Sequence, residues 1–205
     1  MRIGASIGAA GPRAALAASL LVFAALPGLT LGSGAPDAQL TALMQRLAHR
    51  QHDHVAFVER QYLAVLDQPL VSSGELIYDA PDRLERRTLL PKPERLVLRN
   101  GTVTIMRGGR KYRFALRDYP QVAPFVDSIR ATLAGDLPAL QQDYAVHFTV
   151  AAGAWTLILV PRGAKLDAVL KRIRIGGSGT SIRTVEILRA DGDRSVMTIS
   201  PLPAG

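Results

Sequence analysis

The stretch from Arg95 to Leu116, RLVLRNGTVTIMRGGRKYRFAL, reads as a three-stranded ribbon. Three short runs, Arg95–Arg99, Thr102–Arg107 and Arg110–Leu116, are separated by Asn100-Gly101 and by Gly108-Gly109. Both dipeptides accept positive φ at two successive positions, as a two-residue hairpin turn requires. Closing the first turn sets Leu98 opposite Val103 and Leu96 opposite Ile105. Closing the second sets Ile105 opposite Tyr112 and Val103 opposite Phe114. These apolar residues share one face, and Arg99, Thr102, Thr104, Arg107, Lys111 and Arg113 are expected on the other. A sheet with one apolar and one cationic face must cover the apolar one. What covers it governs what the protein does.

Upstream, Asp37 to Arg50 carries Leu40, Leu43, Met44 and Leu47 at the spacing of an amphipathic helix, with Asp37 at its start and Arg46 and Arg50 at its end. A strand follows from about Val55 to Leu66, broken by Asp67-Gln68-Pro69. Val71 to about Thr88 reads as a second strand. Leu76, Tyr78 and Leu84 take one parity, and Glu75, Arg83, Glu85 and Arg87 the other. Pro81 interrupts it, as at an edge or a bulge. Pro91 and Pro93 bend the chain into the ribbon. Downstream, Val122, Phe125, Val126, Ile129 and Leu133 mark a helix after Pro120 that stops at Gly135. Asp136 caps a shorter helix through Leu137, Leu140 and Tyr144, with Pro138 in its first turn.

Strands then resume over Ala145–Val150, Ala154–Val160, Val169–Ile175, Ile182–Leu188 and Arg194–Ser200. A three-residue loop at Ala190-Asp191-Gly192 sets Val185 opposite Met197. Gly176-Gly177-Ser178-Gly179 reads as a flexible loop and not as a phosphate cradle, since no helix follows it. About ten strands and three helices predict a mainly β (α+β) fold: an unclosed, strongly curved antiparallel β-barrel with helices covering its concave apolar face.

Residues 1–35 have the layout of a cleavable secretory signal: Arg2 and Arg13, an apolar run from Ala14 to Leu26, then Pro27, Gly28 and small residues to Ala35. The run is shorter than the roughly 20 residues that span a bilayer. Cleavage is expected between Gly32 and Pro36, releasing residues 36–205 as one domain. Cysteine is absent. Stability therefore rests on an apolar core, and no lipid-bearing cysteine follows the signal. The expected location is the periplasm, unanchored.

Of 25 Lys and Arg only Arg2 and Arg13 leave with the leader, and against 17 Asp and Glu the remainder is +6. That excess serves either to solvate the outer sheet face or to meet anionic phospholipid headgroups or an acidic partner. Few aromatics and no basic–aromatic motif argue against nucleic acid.

Signals for chemistry are sparse. His49, His52, Asp53 and His54 are close in sequence, but only His147 stands elsewhere to complete a ligand set, so a polar helix terminus accounts for them better than a metal site. Asp191 and Asp193 lack the regular oxygen spacing of a calcium loop. No Gly-x-Ser-x-Gly elbow is present. Asn100-Gly101-Thr102 matches a glycosylation sequon, yet the hairpin explains it. Neither catalytic residues, nor a cofactor, nor a metal is expected.

Ser72-Ser73-Gly74-Glu75-Leu76-Ile77-Tyr78-Asp79-Ala80-Pro81-Asp82-Arg83-Leu84 resembles the signature of the periplasmic outer-membrane lipoprotein carriers of the LolA type. Pro91, Leu96–Leu98 and Asn100-Gly101 follow in the family's order. Trp155-Thr156-Leu157-Ile158-Leu159-Val160-Pro161 resembles its tryptophan-led strand, and Asp191-Gly192 with Ser195, Met197 and Ile199 its closing hairpin. The resemblance implies a carrier that shields the acyl chains of a lipoprotein or other lipid in an apolar cavity, in transit from inner to outer membrane. It further implies an inner-membrane exporter and an outer-membrane acceptor as partners, and a monomer.

Leu76, Tyr78, Leu96, Leu98, Ile105, Phe114, Trp155 and Leu157 are the candidate acyl contacts. Leu40, Leu43, Met44 and Leu47 on the first helix, and Phe125, Ile129 and Leu133 on the second, are the candidate lid. Ala80 stands where these carriers have a lid-latching arginine, and the chain is poor in aromatics, as in a divergent branch. Periodicity leaves open an alternative: a ligand-free periplasmic assembly or regulatory domain whose barrel core is filled.

Overall fold

The structure, a computed structural model, describes residues 36–119 and 123–202. The leader, its cleavage zone and Val122 lie outside the described residues. Eleven strands form one antiparallel sheet: β1 (His52–Tyr62), β2 (Leu70–Asp79), β3 (Arg83–Leu90), β4 (Glu94–Arg99), β5 (Thr102–Arg107), β6 (Arg110–Ala115), β7 (Tyr144–Ala151), β8 (Ala154–Pro161), β9 (Leu170–Ser178), β10 (Ser181–Arg189) and β11 (Arg194–Pro201). Their order is β6-β5-β4-β3-β2-β1-β11-β10-β9-β8-β7. β1 is the middle strand, and β6 and β7 are edges that do not meet, so the curved sheet stays unclosed. Among the described residues four α-helices accompany the sheet: α1 (Pro36–Ala48), α2 (Ala123–Leu133), α3 (Leu137–Asp143) and the single turn α4 (Ala164–Asp167).

The ribbon pairs as its turns dictate: Leu98 faces Val103, Leu96 faces Ile105, and these face Phe114 and Tyr112. Asn100 and Gly101 both adopt positive φ, 50° and 66°. Strict alternation puts Arg107 on the parity of Ile105, at the rim of the apolar face opposite Glu94, and not on the cationic face. Met106 takes that place, opposite Lys111.

β1 ends at Tyr62 and does not run on to Leu66, Tyr144 opens β7 and does not close α3, and three further stretches differ from the sequence reading. The stretch 71–88 is two strands, because Pro81 has no N–H to continue a ladder and instead sits in the turn between Asp79 and Arg83. The carboxylate of Asp82 in that turn accepts a hydrogen bond from the Asn100 backbone N–H at 2.8 Å, tying two hairpins together. The glycine run 176–177 is strand, not loop. Gly177 lies opposite Trp155, and a Cβ there would stand 2.3 Å from the indole Cζ2. The indole N–H donates to the Gly179 carbonyl at 2.9 Å. Gly177 thus makes room for the tryptophan, and Gly176 for Thr184, whose Oγ1 a Cβ would approach to 2.6 Å. Finally, His52 and His54 begin β1 instead of ending a helix, and each meets a carboxylate of β2, His52 with Asp79 and His54 with Glu75.

Two apolar clusters lie on the face that the helices cover. The larger joins Leu40, Leu43, Met44 and Leu47 of α1 with Leu140, Tyr144, Trp155, Leu157, Leu159, Ile173 and Ile175. The smaller centres on Leu98, Val103 and Leu116, with Leu84, Leu96, Ile105, Phe114, Ala123 and Val126 around it. The α2–α3 turn can approach α1 because residue 135 is glycine: it adopts φ +67°, and a Cβ there would lie 2.1 Å from the Met44 carbonyl oxygen.

Candidate functional site: an apolar face filled on one arm and open on the other

Following the cross-strand register places every candidate contact residue on one face. One row runs Tyr78–Leu84–Leu98–Val103–Phe114 across β2 to β6, and the next runs Val55–Leu76–Arg86–Leu96–Ile105–Tyr112. On the far side of β1 a row runs Met197–Val185–Ile175–Leu157–Phe148. Trp155 shares the parity of Leu157.

The two arms are packed differently. On the β7–β10 arm, Leu157, Leu159 and Ile173 are 0 % exposed, and Leu47 of α1 is 0 % exposed against them. The α1 stripe is thus seated in a dense core. On the β2–β6 arm, Leu98 and Tyr78 are buried, but Leu76, Leu84, Leu96, Ile105 and Phe114 all remain partly exposed. Only α2 and the helical turn at Leu116 cover this arm among the described residues, through Ala123 and Val126. Phe125, Ile129 and Leu133 of α2 are themselves partly exposed. One point of attachment is polar: the Tyr144 hydroxyl donates to the Pro124 carbonyl at 3.1 Å, in the first turn of α2. Burial pushes the Tyr144 phenol up to about 12, so it remains a donor across the physiological range.

Between the arms stands a polar pair that the sequence reading missed. Glu59 of β1 points to the apolar face and is 4 % exposed. Arg86 Nη2 donates to its Oε2 at 2.6 Å and to Ser72 Oγ at 3.1 Å. The Ser195 hydroxyl donates to Glu59 Oε1, and the guanidinium stacks 4.6 Å from the Phe57 ring centroid. Burial pushes the Glu59 carboxyl up, but the Ser195 hydroxyl and the Arg86 charge outweigh it and hold the group below the usual carboxylate range. The signal was present in the sequence as parity: Glu59 lies two after Phe57, and Arg86 two after Leu84.

The opposite face carries the charges. Glu85, 2 % exposed, accepts from Arg87 Nε at 2.5 Å, from Arg95 Nε at 2.6 Å, and from Arg83. Burial raises its carboxyl, yet Arg95 and Arg87 bring it down to about 2. Asp79, between His52 and Arg83, is likewise held low, chiefly by the hydrogen bond from His52. No cluster suited to hold a metal occurs among the described residues.

The site is thus the apolar face of an open antiparallel sheet with helices laid over it. The chain belongs to the LolA-like family of outer membrane lipoprotein carrier proteins, whose model matches residues 33–200. That family membership gives it a lipid- and lipoprotein-binding carrier fold. No curated protein sequence matches the chain. Among solved structures, it is similar to a LolA-superfamily protein from Nitrosomonas europaea (9 % identity, TM-score 0.42, 82 % of this chain and 92 % of that one). A DUF1329-family protein from Desulfovibrio piger aligns with 10 % identity and TM-score 0.46, over 82 % of this chain and 92 % of the other. The lipoprotein LppX of Mycobacterium tuberculosis aligns with 9 % identity and TM-score 0.43, over 82 % and 98 %.

Proposed function

We propose that this protein is a periplasmic carrier that holds the acyl chains of a lipoprotein or another lipid against the β2–β6 arm, beneath α2, on the way from inner to outer membrane. The observation that carries the reading is the partly exposed apolar surface of that arm, beside an equivalent surface filled by α1. Each ligand methylene removed from water there is worth about 0.8 kcal/mol, so a chain of a dozen carbons offsets the displacement of a few α2 side chains. In this reading α1 is the floor and α2 the moving cover. The leader directs export, and an exporter in one membrane and an acceptor in the other load and unload a monomer.

Native mass spectrometry and lipid extraction of protein purified from periplasm test the reading; acyl-bearing adducts are expected. Ile105→Glu should leave circular dichroism unchanged while abolishing uptake of a fluorescent fatty-acyl probe, since a groove admits water around the carboxylate. A chain that binds neither probe nor native lipid overturns the carrier reading. The second reading, a ligand-free assembly or regulatory domain, is favoured by one observation, the complete burial of the α1 stripe, and it would then hold for both arms.

A further inference from the structure

Charge on this molecule is localised to one place. From residue 36 onward the chain has 23 Lys and Arg against 17 Asp and Glu. The meander from Lys92 to Arg117, which is β4, β5, β6 and their flanks, holds eight basic residues and one acidic residue, Glu94. Outside the meander 15 basic residues face 16 acidic ones. The whole cationic excess therefore sits on three adjacent strands at one edge of the sheet. All eight cations are exposed. Among the described residues, Lys92, Arg99, Arg110, Lys111 and Arg113 form no ion pair, whereas the arginines of β3 beside them are consumed by Glu59, Glu75, Asp79 and Glu85. Edge strand β6 begins with four exposed residues in a row, Arg110-Lys111-Tyr112-Arg113. Tyr112 and Tyr119, 45 % and 39 % exposed, lie at the same edge on its apolar side, the Tyr119 ring centroid 4.6 Å from that of Phe114.

We infer that the β4–β6 edge is a docking surface for an anionic phospholipid bilayer. The charges are spread along an edge and a hairpin tip; the depression beside Arg99 is lined by Asp79 and Asp82, which repel an acidic side chain or peptide, and tyrosine is a residue that settles at headgroup depth. The same strands bear the partly exposed apolar row Leu96–Ile105–Tyr112, so docking by this edge brings the open arm beside the membrane. That last point rests on the carrier reading; the docking itself does not.

Co-sedimentation with vesicles tests it, using phosphatidylcholine alone and phosphatidylcholine mixed with phosphatidylglycerol. Binding is expected only to the mixed vesicles, weakening as salt shortens the screening length to about 8 Å near 0.15 M and below. Each cation near an anionic surface strengthens binding about fivefold, so K111Q/R113Q should bind roughly 25-fold more weakly. K165Q/R183Q removes two exposed cations from α4 and β10 that form no ion pair among the described residues, and should bind as the parent does. Equal loss in both double variants overturns the placement. Failure of the parent to bind mixed vesicles at low salt overturns the membrane partner, leaving an acidic protein as what the patch meets. Uptake of an acyl probe in vesicle-free solution, expected unchanged in K111Q/R113Q, reports the carrier reading separately.

Discussion

Glu85→Gln is the sharpest probe of how the charged face is held. The side chain keeps its shape and loses its charge, leaving Arg83, Arg87 and Arg95 around a neutral amide. The carboxyl falls from an ordinary 4.5 to about 2 in the fold. At about 1.4 kcal/mol per tenfold, that difference is worth about 3 kcal/mol. Arg87 and Arg95 are 39 % and 46 % exposed, so water and salt screen part of it, and about 2 kcal/mol is expected. The sign follows from the direction: a lowered acid stabilises fully above 4.5 and loses that contribution as pH falls toward 2. Near neutral pH the variant should melt about 4–8 °C below the parent, at 2–4 °C per kcal/mol for a domain of this size. Near pH 2 the two melting curves should converge. Thermal melts followed by circular dichroism across that range decide the matter. Equal stability at neutral pH, or a gap that persists in acid, would refute the assignment of Glu85 as the anchor of three arginines.

The packing contrast between the arms predicts unequal costs for equal truncations. Leu157→Ala should cost about 2–5 kcal/mol in urea denaturation, because Leu157 is fully enclosed. Ile105→Ala, on the open arm, should cost less than half as much. Tyr144→Phe removes the hydrogen bond to the Pro124 carbonyl; about 1 kcal/mol of cover stability should go, raising the rate of acyl-probe uptake about fivefold in stopped-flow measurements. An unchanged uptake rate would show that α2 is not held there.

Much of this fold is legible in the sequence, and the reasons are local. Asn100-Gly101 and Gly108-Gly109 fix two turns, turns fix register, and register fixes which side chains share a face. The hairpin at Ala80–Asp82 is harder to read, because a proline inside an alternating run is equally at home at an edge and in a turn. The glycines at 176 and 177 look like a linker until Thr184 is seen to need the missing side chain of the first and the indole of Trp155 that of the second. Periodicity gives direction and not depth: Leu157 and Ile105 have the same pattern around them, yet one is sealed by α1 and the other is half open. Glu59 and Arg86 escape notice for a related reason. A single charge on an apolar parity looks like a strand nearing its end, and only long-range pairing between β1 and β3, through Ser72 and Ser195, reveals its partner.

A barrel that never closes leaves two unzipped rows of backbone donors and acceptors, and such rows invite a second chain to add itself strand by strand. On one side α3 lies beside β7. On the other, β6 offers Arg110, Lys111 and Arg113 to any copy that tries to pair with it in the same way. Two such strands brought side by side would set guanidinium against ammonium at strand spacing, a repulsion that discourages polymer growth. Concentrated K111Q/R113Q protein, with that repulsion weakened, is therefore the form in which edge-to-edge assembly and fibril formation should be looked for.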